Sequence, residues 1–137
     1  MSRRSPTNVL VHVVWATRAR RSLLMRADDA RLASLLRKAA IDVGCEPIAI
    51  GNAANHVHVV ARIAPTIALA DFVQRLKGRS SYVTGWTWQA GYFAESISFA
   101  DLDALSAYVE RQRDHHDDSH PAETWTLRGC EPAEGGL

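Results

Sequence analysis

Cysteine is scarce in this sequence, and long apolar runs are absent. The two cysteines among the 137 residues, Cys45 and Cys130, have no CxxC spacing and lie too far apart to indicate a disulfide framework or a zinc site. No run of about 18 apolar residues occurs, and residues 1–6 show no apolar segment after their basic residues. We therefore expect no membrane span and no export signal, and a reducing, cytoplasmic location.

A strong excess of charge of either sign is also lacking. Sixteen Lys and Arg residues stand against fifteen Asp and Glu residues, which leaves a formal net charge of +1. The chain is thus no polycation, but nucleic acid binding is not excluded, because the position of the charges decides it. The basic residues form clusters that suit either phosphate contacts or a solvated surface: Arg18, Arg20 and Arg21, and then Arg75, Lys77 and Arg79.

Hydrophobic residues make up 47% of the chain and charged residues 23%, the balance of one globular domain. Apolar runs and alternation predict strands over 7–16, 46–50 and 56–63 and a short strand within 86–98. Helical spacing of apolar residues predicts helices over 28–43, 67–84 and 101–115.

The predicted order β-α-β-β-α-β-α is that of a ferredoxin-like or RRM-like split β-α-β fold, of the α+β class, with an antiparallel sheet and an added C-terminal helix. From residue 117 onward the periodicity disappears, and Pro and Gly accumulate. We therefore predict a folded domain over 1–116 and an irregular tail over 117–137.

Two histidines share one face of the third predicted strand. Side chains alternate along a strand, so His56 and His58 project together while Val57 faces the core. Neighbouring imidazoles are a candidate metal pair, although exposed polar residues on a solvent-facing strand give the same pattern. On the last helix, Tyr108 and Gln112 are four residues apart and so lie on one face. Taken alone, each pattern favours an ordinary surface over a functional site.

The order of the motifs is more specific than any one of them. The first strand contains Val-His-Val-Val-Trp-Ala-Thr, and the HxH strand is followed by Leu76-Lys-Gly-Arg-Ser-Ser81, by Gln89-Ala-Gly-Tyr-Phe-Ala94 and by Tyr108-Val-Glu-Arg-Gln-Arg-Asp-His-His116. From about Val9 to His116, this series resembles the single-tyrosine HUH transposases, which comprise the insertion-sequence 200/605 group and the REP-associated tyrosine transposases.

The resemblance implies that Tyr108 is a nucleophile and that His56, His58 and Gln112 hold a divalent metal, Mg²⁺ or Mn²⁺. It implies cleavage and rejoining of single-stranded DNA next to hairpins through a covalent 5′-phosphotyrosine. It also implies DNA contacts by two basic segments, whose members are Arg18, Arg20, Arg21, Arg75, Lys77, Arg79 and Ser80.

The resemblance further implies a homodimer in which the tyrosine helix serves its own or the partner's site, in the nucleoid of a bacterium or archaeon. The chemistry fits the residue types, because a phenol of pKa near 10 needs a metal to make the phosphorus more electrophilic. Two imidazoles and one amide oxygen also leave metal positions open for phosphate and water.

Two segments depart from the pattern of the resembled family. Ala53-Ala54 stands where many members have Met-Pro, which affects turn geometry and no ligand position. Phe93-Ala-Glu95 stands where a Gly and an aromatic residue are more usual, so we expect Glu95 to alter DNA contacts near the site.

Several other side chains have two interpretations. A second metal cluster near the end of the last helix would use His115, His116 and His120 with neighbouring aspartates, but we favour a helix end rich in cations. For Trp86 and Trp88 we favour packing over stacking on unpaired bases. His12, among apolar residues, is predicted to be structural.

Three other functions remain open at this point. The first is a domesticated protein that binds hairpins without cutting them, and the second is a rolling-circle HUH endonuclease or relaxase. The third, an RRM-like RNA-binding module, follows from the topology alone but requires exposed aromatic residues on the central strands, where 56–63 offers histidines and valines.

Overall fold

A computed structural model describes residues 6–115, with side chains described as far as residue 113. The strands are β1 (Val9–Ala16), β2 (Glu46–Asn52), β3 (His56–Ile63) and β4 (Phe93–Ser96). The helices are α1 (Asp29–Asp42), α2 (Leu69–Thr84), α3 (Leu102–Glu110) and α4 (Gln112–His115). The strands form one sheet in the order β2-β3-β1-β4, in which every neighbouring pair is antiparallel. This confirms the predicted α+β split β-α-β fold.

The central strand β1 is buried on both faces, which explains its continuous apolar sequence. On one face, Val13 and Trp15 pack with residues of α1 and α2 such as Leu36 and Phe72, and these form the main core. On the other face, alternation places the side chains of His12, Val14 and Ala16. On this second face, Val14 and Ala16 form a small apolar cluster with Phe93 of β4, beside the polar His12.

Helix α3 covers the second face at the β2–β3 pair. Its buried residue Val109 packs against Ala49 of β2 and Val60 of β3. The approach is close at Gly51, where a Cβ atom would lie 1.7 Å from the carbonyl oxygen of Val109. Gly51 is paired directly with His58, so the absence of a side chain at position 51 lets the C-terminal end of α3 reach the sheet beside that histidine.

The C-terminal helix differs from the prediction of one helix over 101–115. Helix α3 ends at Glu110, and α4 begins at Gln112 after a single non-helical residue, Arg111 (φ −109°, ψ 26°). The carbonyl of Tyr108 accepts hydrogen bonds from the Arg111 N–H at 3.2 Å and from the Gln112 side-chain amide at 3.4 Å. The Gln112 side chain thus occupies a carbonyl that would accept the next backbone hydrogen bond of a continuing α-helix. The last turn of α3 tightens as a result.

No helix within residues 6–115 is long and apolar enough to cross a membrane. The predicted tail over 117–137, together with His116 and His120, lies outside the described residues, as does the side chain of His115. The domain boundary and the second histidine cluster therefore stay predictions.

Candidate active site

The two histidines of the HxH pattern lie side by side in the interior. His56 is paired with Ala16, and His58 with Val14, at the end of the β1–β3 pair. Their relative exposures are 3% and 1%. The alternative of two polar residues on a solvent-facing strand is therefore wrong, because α3 covers this face of the sheet. Buried imidazoles require partners, and each ring has them.

The orientation of His56 follows from a short chain of hydrogen bonds. Asn55 donates through its Nδ2 to the carbonyl of Arg20 at 3.4 Å, which turns its Oδ1 toward the Nδ1 of His56 at 2.9 Å. An amide oxygen only accepts, and the Asn55 oxygen lies closer to Nδ1 (2.9 Å) than the Gln112 oxygen lies to Nε2 (3.3 Å), so the shorter contact assigns the proton of a neutral His56 ring to Nδ1. The lone pair of the ring is then on Nε2.

Gln112 of α4 faces that nitrogen. Its Nε2 donates to the carbonyl of Tyr108, which directs its Oε1 toward the His56 Nε2 at 3.3 Å, and the Gln112 side chain is fully buried. With the His56 proton on Nδ1, neither of the two facing atoms has a hydrogen to donate. Two converging lone pairs in a buried site favour a cation.

The spacing of these atoms also suits a metal. Adjacent ligands around an octahedral ion with bonds of about 2.1 Å lie roughly 3 Å apart, close to the 3.3 Å between His56 Nε2 and Gln112 Oε1. Within residues 6–115, no group of three or more His, Cys, Asp or Glu side chains is arranged to hold a metal. Among the described residues, the amide oxygen of Gln112 is the third candidate ligand beside His56 and His58.

The predicted nucleophile lies against the second histidine. The Tyr108 ring meets the His58 ring edge-on, with 6.1 Å between centroids and an interplanar angle of 86°. The Tyr108 side chain is partly buried against Ala49, Val60 and Val109. Tyr108, His56, His58 and Gln112 of one chain are thus brought together on one face of the sheet. The other two tyrosines are elsewhere: Tyr82 is 91% exposed, and Tyr92 packs against the main core.

Two residues of this site, His12 and Asn55, were not predicted from the sequence as part of it, and Glu95 was expected only to alter DNA contacts near it. His12 contacts His58 through its Nε2, at 2.9 Å from the His58 Nδ1, and its own Nδ1 lies 3.1 Å from the Glu95 carboxylate. Asn55 orients His56. His12 was predicted to be only structural, and the strand pairing that brings it to His58 joins positions 46 residues apart.

A charged cluster holds α4 in place. The Arg113 guanidinium donates to Asp29 Oδ1 at 2.7 Å and to the carbonyl of Leu24 at 3.1 Å. Asn52 at the end of β2 donates to the same Asp29 oxygen at 3.1 Å. Because Arg113 directly follows Gln112, this cluster fixes the residue next to the candidate ligand.

We expect Arg113→Met to lower the free energy of unfolding by about 1 kcal/mol, because the ion pair is partly exposed. The thermal midpoint should fall by roughly 3–6 °C. Circular dichroism melting measures this, with the exposed neighbour Arg111→Met as the control. Equal midpoints for the two variants would show that the cluster does not hold α4.

The predicted DNA-contacting residues of α2 separate into different environments. Ser80 is fully buried, donates to the carbonyl of Leu76 and accepts from the Trp88 indole. Its predicted DNA contact is therefore wrong, because the helical pattern turns this hydroxyl inward. The Lys77 ammonium donates to the carbonyls of Gln89 at 2.8 Å and Gly91 at 3.1 Å, and so holds the loop before β4.

The two arginines of α2 lie beside acidic residues of the α1–α2 layer. Arg79 forms an ion pair with Asp42 at 2.8 Å, and Arg75 lines a depression together with Asp42 and Asp71. This layer covers the sheet face opposite to the histidines. DNA contacts by Arg75, Lys77 and Arg79 stay predictions.

The basic segment after β1 lies next to the histidine end of the sheet. Thr17 donates its N–H to the carbonyl of Asn55, the residue before His56. Ala19 and Arg20 both have positive φ, 55° and 56°, which costs non-glycine residues about 1 kcal/mol or more. Arg18 is exposed and lines a cleft of about 540 Å³ with Lys77 and Trp88. DNA contacts by Arg18, Arg20 and Arg21 stay predictions.

The tryptophans pack as predicted. Trp88 meets Trp15 edge-on at 5.8 Å and donates to Ser80 Oγ at 3.0 Å, and Trp86 lies 6.4 Å from Trp88. This arrangement anchors the loop before β4 to α2 and β1.

Comparison with known proteins gives the family. The model of the IS200-like transposase family matches residues 5–112, which include all four clustered residues. The chain belongs to the IS200-like transposase family. The ISDra2 transposase TnpA of Deinococcus radiodurans is 28% identical over 116 residues, covering 75% of this chain and 83% of the relative.

Two solved structures share the fold of this IS200-like transposase. A crystal structure of a protein described as a transposase from Deinococcus radiodurans R1 has a TM-score of 0.65 at 25% identity, covering 82% of this chain and 97% of the other. A REP-associated tyrosine transposase bound to a REP hairpin has a TM-score of 0.61 at 18% identity, covering 80% of this chain and 70% of the other. The motif resemblance found in the sequence is thereby confirmed.

Proposed function

We propose that this transposase cuts and rejoins single-stranded DNA next to hairpins, by a metal-dependent transesterification with Tyr108 as the nucleophile. The observation that carries the proposal is the convergence of the partly buried Tyr108 with the buried His56, His58 and Gln112 in one cluster on the sheet. Membership of the transposase family supports the class of reaction. The hairpin in the REP-associated structure supports the class of substrate.

The proposed reaction exchanges one phosphodiester for another. The Tyr108 oxygen forms a bond to phosphorus while the bond from phosphorus to the 3′ oxygen breaks, and the phenolic proton ends on the departing 3′ oxygen. The products are a 5′-phosphotyrosine and a free 3′-OH. Attack of a 3′-OH on the phosphotyrosine reverses the bonds and releases Tyr108, so rejoining needs no ATP.

The residues around Tyr108 have separate tasks in this proposal. His56, His58 and Gln112 would hold the divalent ion, Mg²⁺ or Mn²⁺, since imidazole suits Mn²⁺ and an amide oxygen suits either. When bound, the ion withdraws charge from the non-bridging phosphate oxygens and orients the phosphate for in-line attack. Packing of α3 on Gly51 holds the tyrosine beside the ligands.

The homodimer also remains part of the proposal. Tyr108 lies against His58 of the same chain, which supports a site that one chain can complete. Exchange of the tyrosine helix between two copies would need α4 to leave its contacts with Asp29 and Leu24.

The test of the proposal is covalent capture of DNA. The purified chain is incubated with labelled single-stranded hairpin oligonucleotides from its genomic flanks, with Mn²⁺ or with EDTA, and run on a denaturing protein gel. We expect a shifted band that forms only with Mn²⁺. The band should be labelled only when the label was placed on the 3′ side of the cut, because that part of the DNA stays attached to the tyrosine. Tight hairpin binding without such a band would favour a domesticated binding protein.

We expect Arg18→Gln to weaken binding of single-stranded DNA about fivefold, which corresponds to loss of roughly 1 kcal/mol from one exposed charge contact. The slope of log Kd against log salt should fall by about 0.7. Fluorescence anisotropy at several salt concentrations measures both, with Arg37→Gln, an exposed arginine of α1, as the control of equal charge. The same loss for both variants would point to net charge in place of a local contact.

A further inference from the structure

We infer that Glu95 and His12 form a hydrogen-bonded chain that fixes the tautomer and the orientation of His58, so that the lone pair of His58 Nε2 faces the metal position. Both are positioning residues, since neither is a ligand in the proposed site. The inference rests on the proposed metal-dependent function, and it concerns a departure of this chain from the pattern of the family it resembles.

Strand pairing brings the three side chains of this hydrogen-bonded row together across three strands. His12 on β1 is paired with Glu95 on β4, and it lies diagonally across from His58 on β3, whose direct partner is Val14. The Glu95 carboxylate is 3.1 Å from His12 Nδ1, and His12 Nε2 is 2.9 Å from His58 Nδ1. The two imidazole planes differ by only 17°, so one line of hydrogen bonds runs through both rings.

The direction of these hydrogen bonds follows from the Glu95 carboxylate at one end of the row. A carboxylate only accepts, so in the neutral His12 ring the proton lies on Nδ1 and Nε2 is the acceptor. His58 must then donate through Nδ1, and its lone pair lies on Nε2. A metal needs this tautomer if it binds His58 through Nε2.

Burial makes the alternative tautomer costly. His12 is 6% exposed and His58 1% exposed, so the other His58 tautomer would set two lone pairs against each other in a site closed to water. The two candidate ligand histidines also differ in the group that contacts their Nδ1 atoms. The Nδ1 of His56 faces the neutral amide of Asn55, whereas the Nδ1 of His58 is linked through His12 to a charged group. A linked carboxylate raises the basicity of a ligand imidazole, and loss of such a partner typically weakens metal binding about tenfold to a hundredfold.

The first test reads the tautomer directly, without metal or DNA. Long-range ¹H–¹⁵N NMR of the metal-free full chain at about pH 8.5, above the ordinary pKa of imidazole, distinguishes a protonated Nδ1 from a protonated Nε2 for His58. We expect protonated Nδ1 in the unmodified protein and a shift toward protonated Nε2 in His12→Leu. Protonated Nε2 in the unmodified protein overturns the inference.

The second test measures the dissociation constant of Mn²⁺ by electron paramagnetic resonance of the free ion. We expect Glu95→Gln to weaken binding about threefold to tenfold and His12→Leu about tenfold to a hundredfold. The double variant should bind no more weakly than His12→Leu, because Glu95 acts only through His12. Glu46→Gln, the same change on the opposite edge strand, is the control.

Three results separate the possible outcomes. Unchanged Mn²⁺ affinity in folded Glu95→Gln and His12→Leu overturns the inference, and so do independent, additive losses. If the unmodified protein binds no Mn²⁺ and captures no DNA, the proposed function fails. The NMR result still decides whether the hydrogen bonds from Glu95 through His12 set the tautomer of His58.

Discussion

Tyr108→Phe is expected to abolish the covalent DNA adduct completely while leaving hairpin binding within about twofold of the unmodified chain. The substitution removes one oxygen atom and keeps the ring that packs edge-on against His58. The fold and the metal site should therefore persist, and only the nucleophile is lost. Gel detection of the adduct and anisotropy for binding measure the two effects separately.

The other tyrosines provide matched controls for this result. Tyr82→Phe and Tyr92→Phe remove the same atom from an exposed helix position and from the rim of the main core, respectively. Both variants should form the adduct at normal rates. Persistence of the adduct in Tyr108→Phe would contradict the assignment, and its loss in either control would indicate a different nucleophile.

Gly51→Ala is expected to reduce the rate of adduct formation at least about a hundredfold. The new methyl group would meet the Val109 carbonyl oxygen at 1.7 Å, so α3 must shift away from the sheet by an ångström or more. Displacement of reacting groups by about 1 Å costs roughly 10²-fold in rate. Single-turnover cleavage measures this, with circular dichroism to confirm that the sheet is retained.

Gly78→Ala is the matched control for Gly51→Ala. A Cβ atom at Gly78 has nothing within 4 Å, and alanine favours a helix interior over glycine by about 0.5–1 kcal/mol. This variant should be slightly more stable and fully active. If Gly51→Ala cuts DNA at the normal rate, the close approach of α3 does not position Tyr108.

Local patterns in the sequence were enough to predict the order of strands and helices and the shared face of His56 and His58. Alternation along β3 requires only the strand itself, and the i, i+4 spacing of Tyr108 and Gln112 requires only the helix. The break at Arg111 was missed because it depends on a side-chain hydrogen bond to the Tyr108 carbonyl, which no periodicity reports.

Features that depend on strand register and on helix packing could not be predicted from patterns in the sequence. His12 and Glu95 are 83 positions apart and meet only because β1 pairs with β4 in one register. Ser80 belongs to a basic, hydroxyl-rich segment, and only the rotation of α2 against Trp88 buries it. The predicted strand over 46–50 stopped before Gly51, whereas β2 runs through Gly51, and the main constraint on this residue is the helix that crosses above it.

The most direct test of the account is mass spectrometry of the covalent adduct after digestion with nuclease and protease. We predict a nucleotide joined through its 5′ phosphate to the peptide that contains Tyr108, formed in Mn²⁺ and absent in EDTA. A nucleotide on any other residue, or cut DNA with free 5′ ends and no protein attached, would contradict the proposal that Tyr108 is the nucleophile.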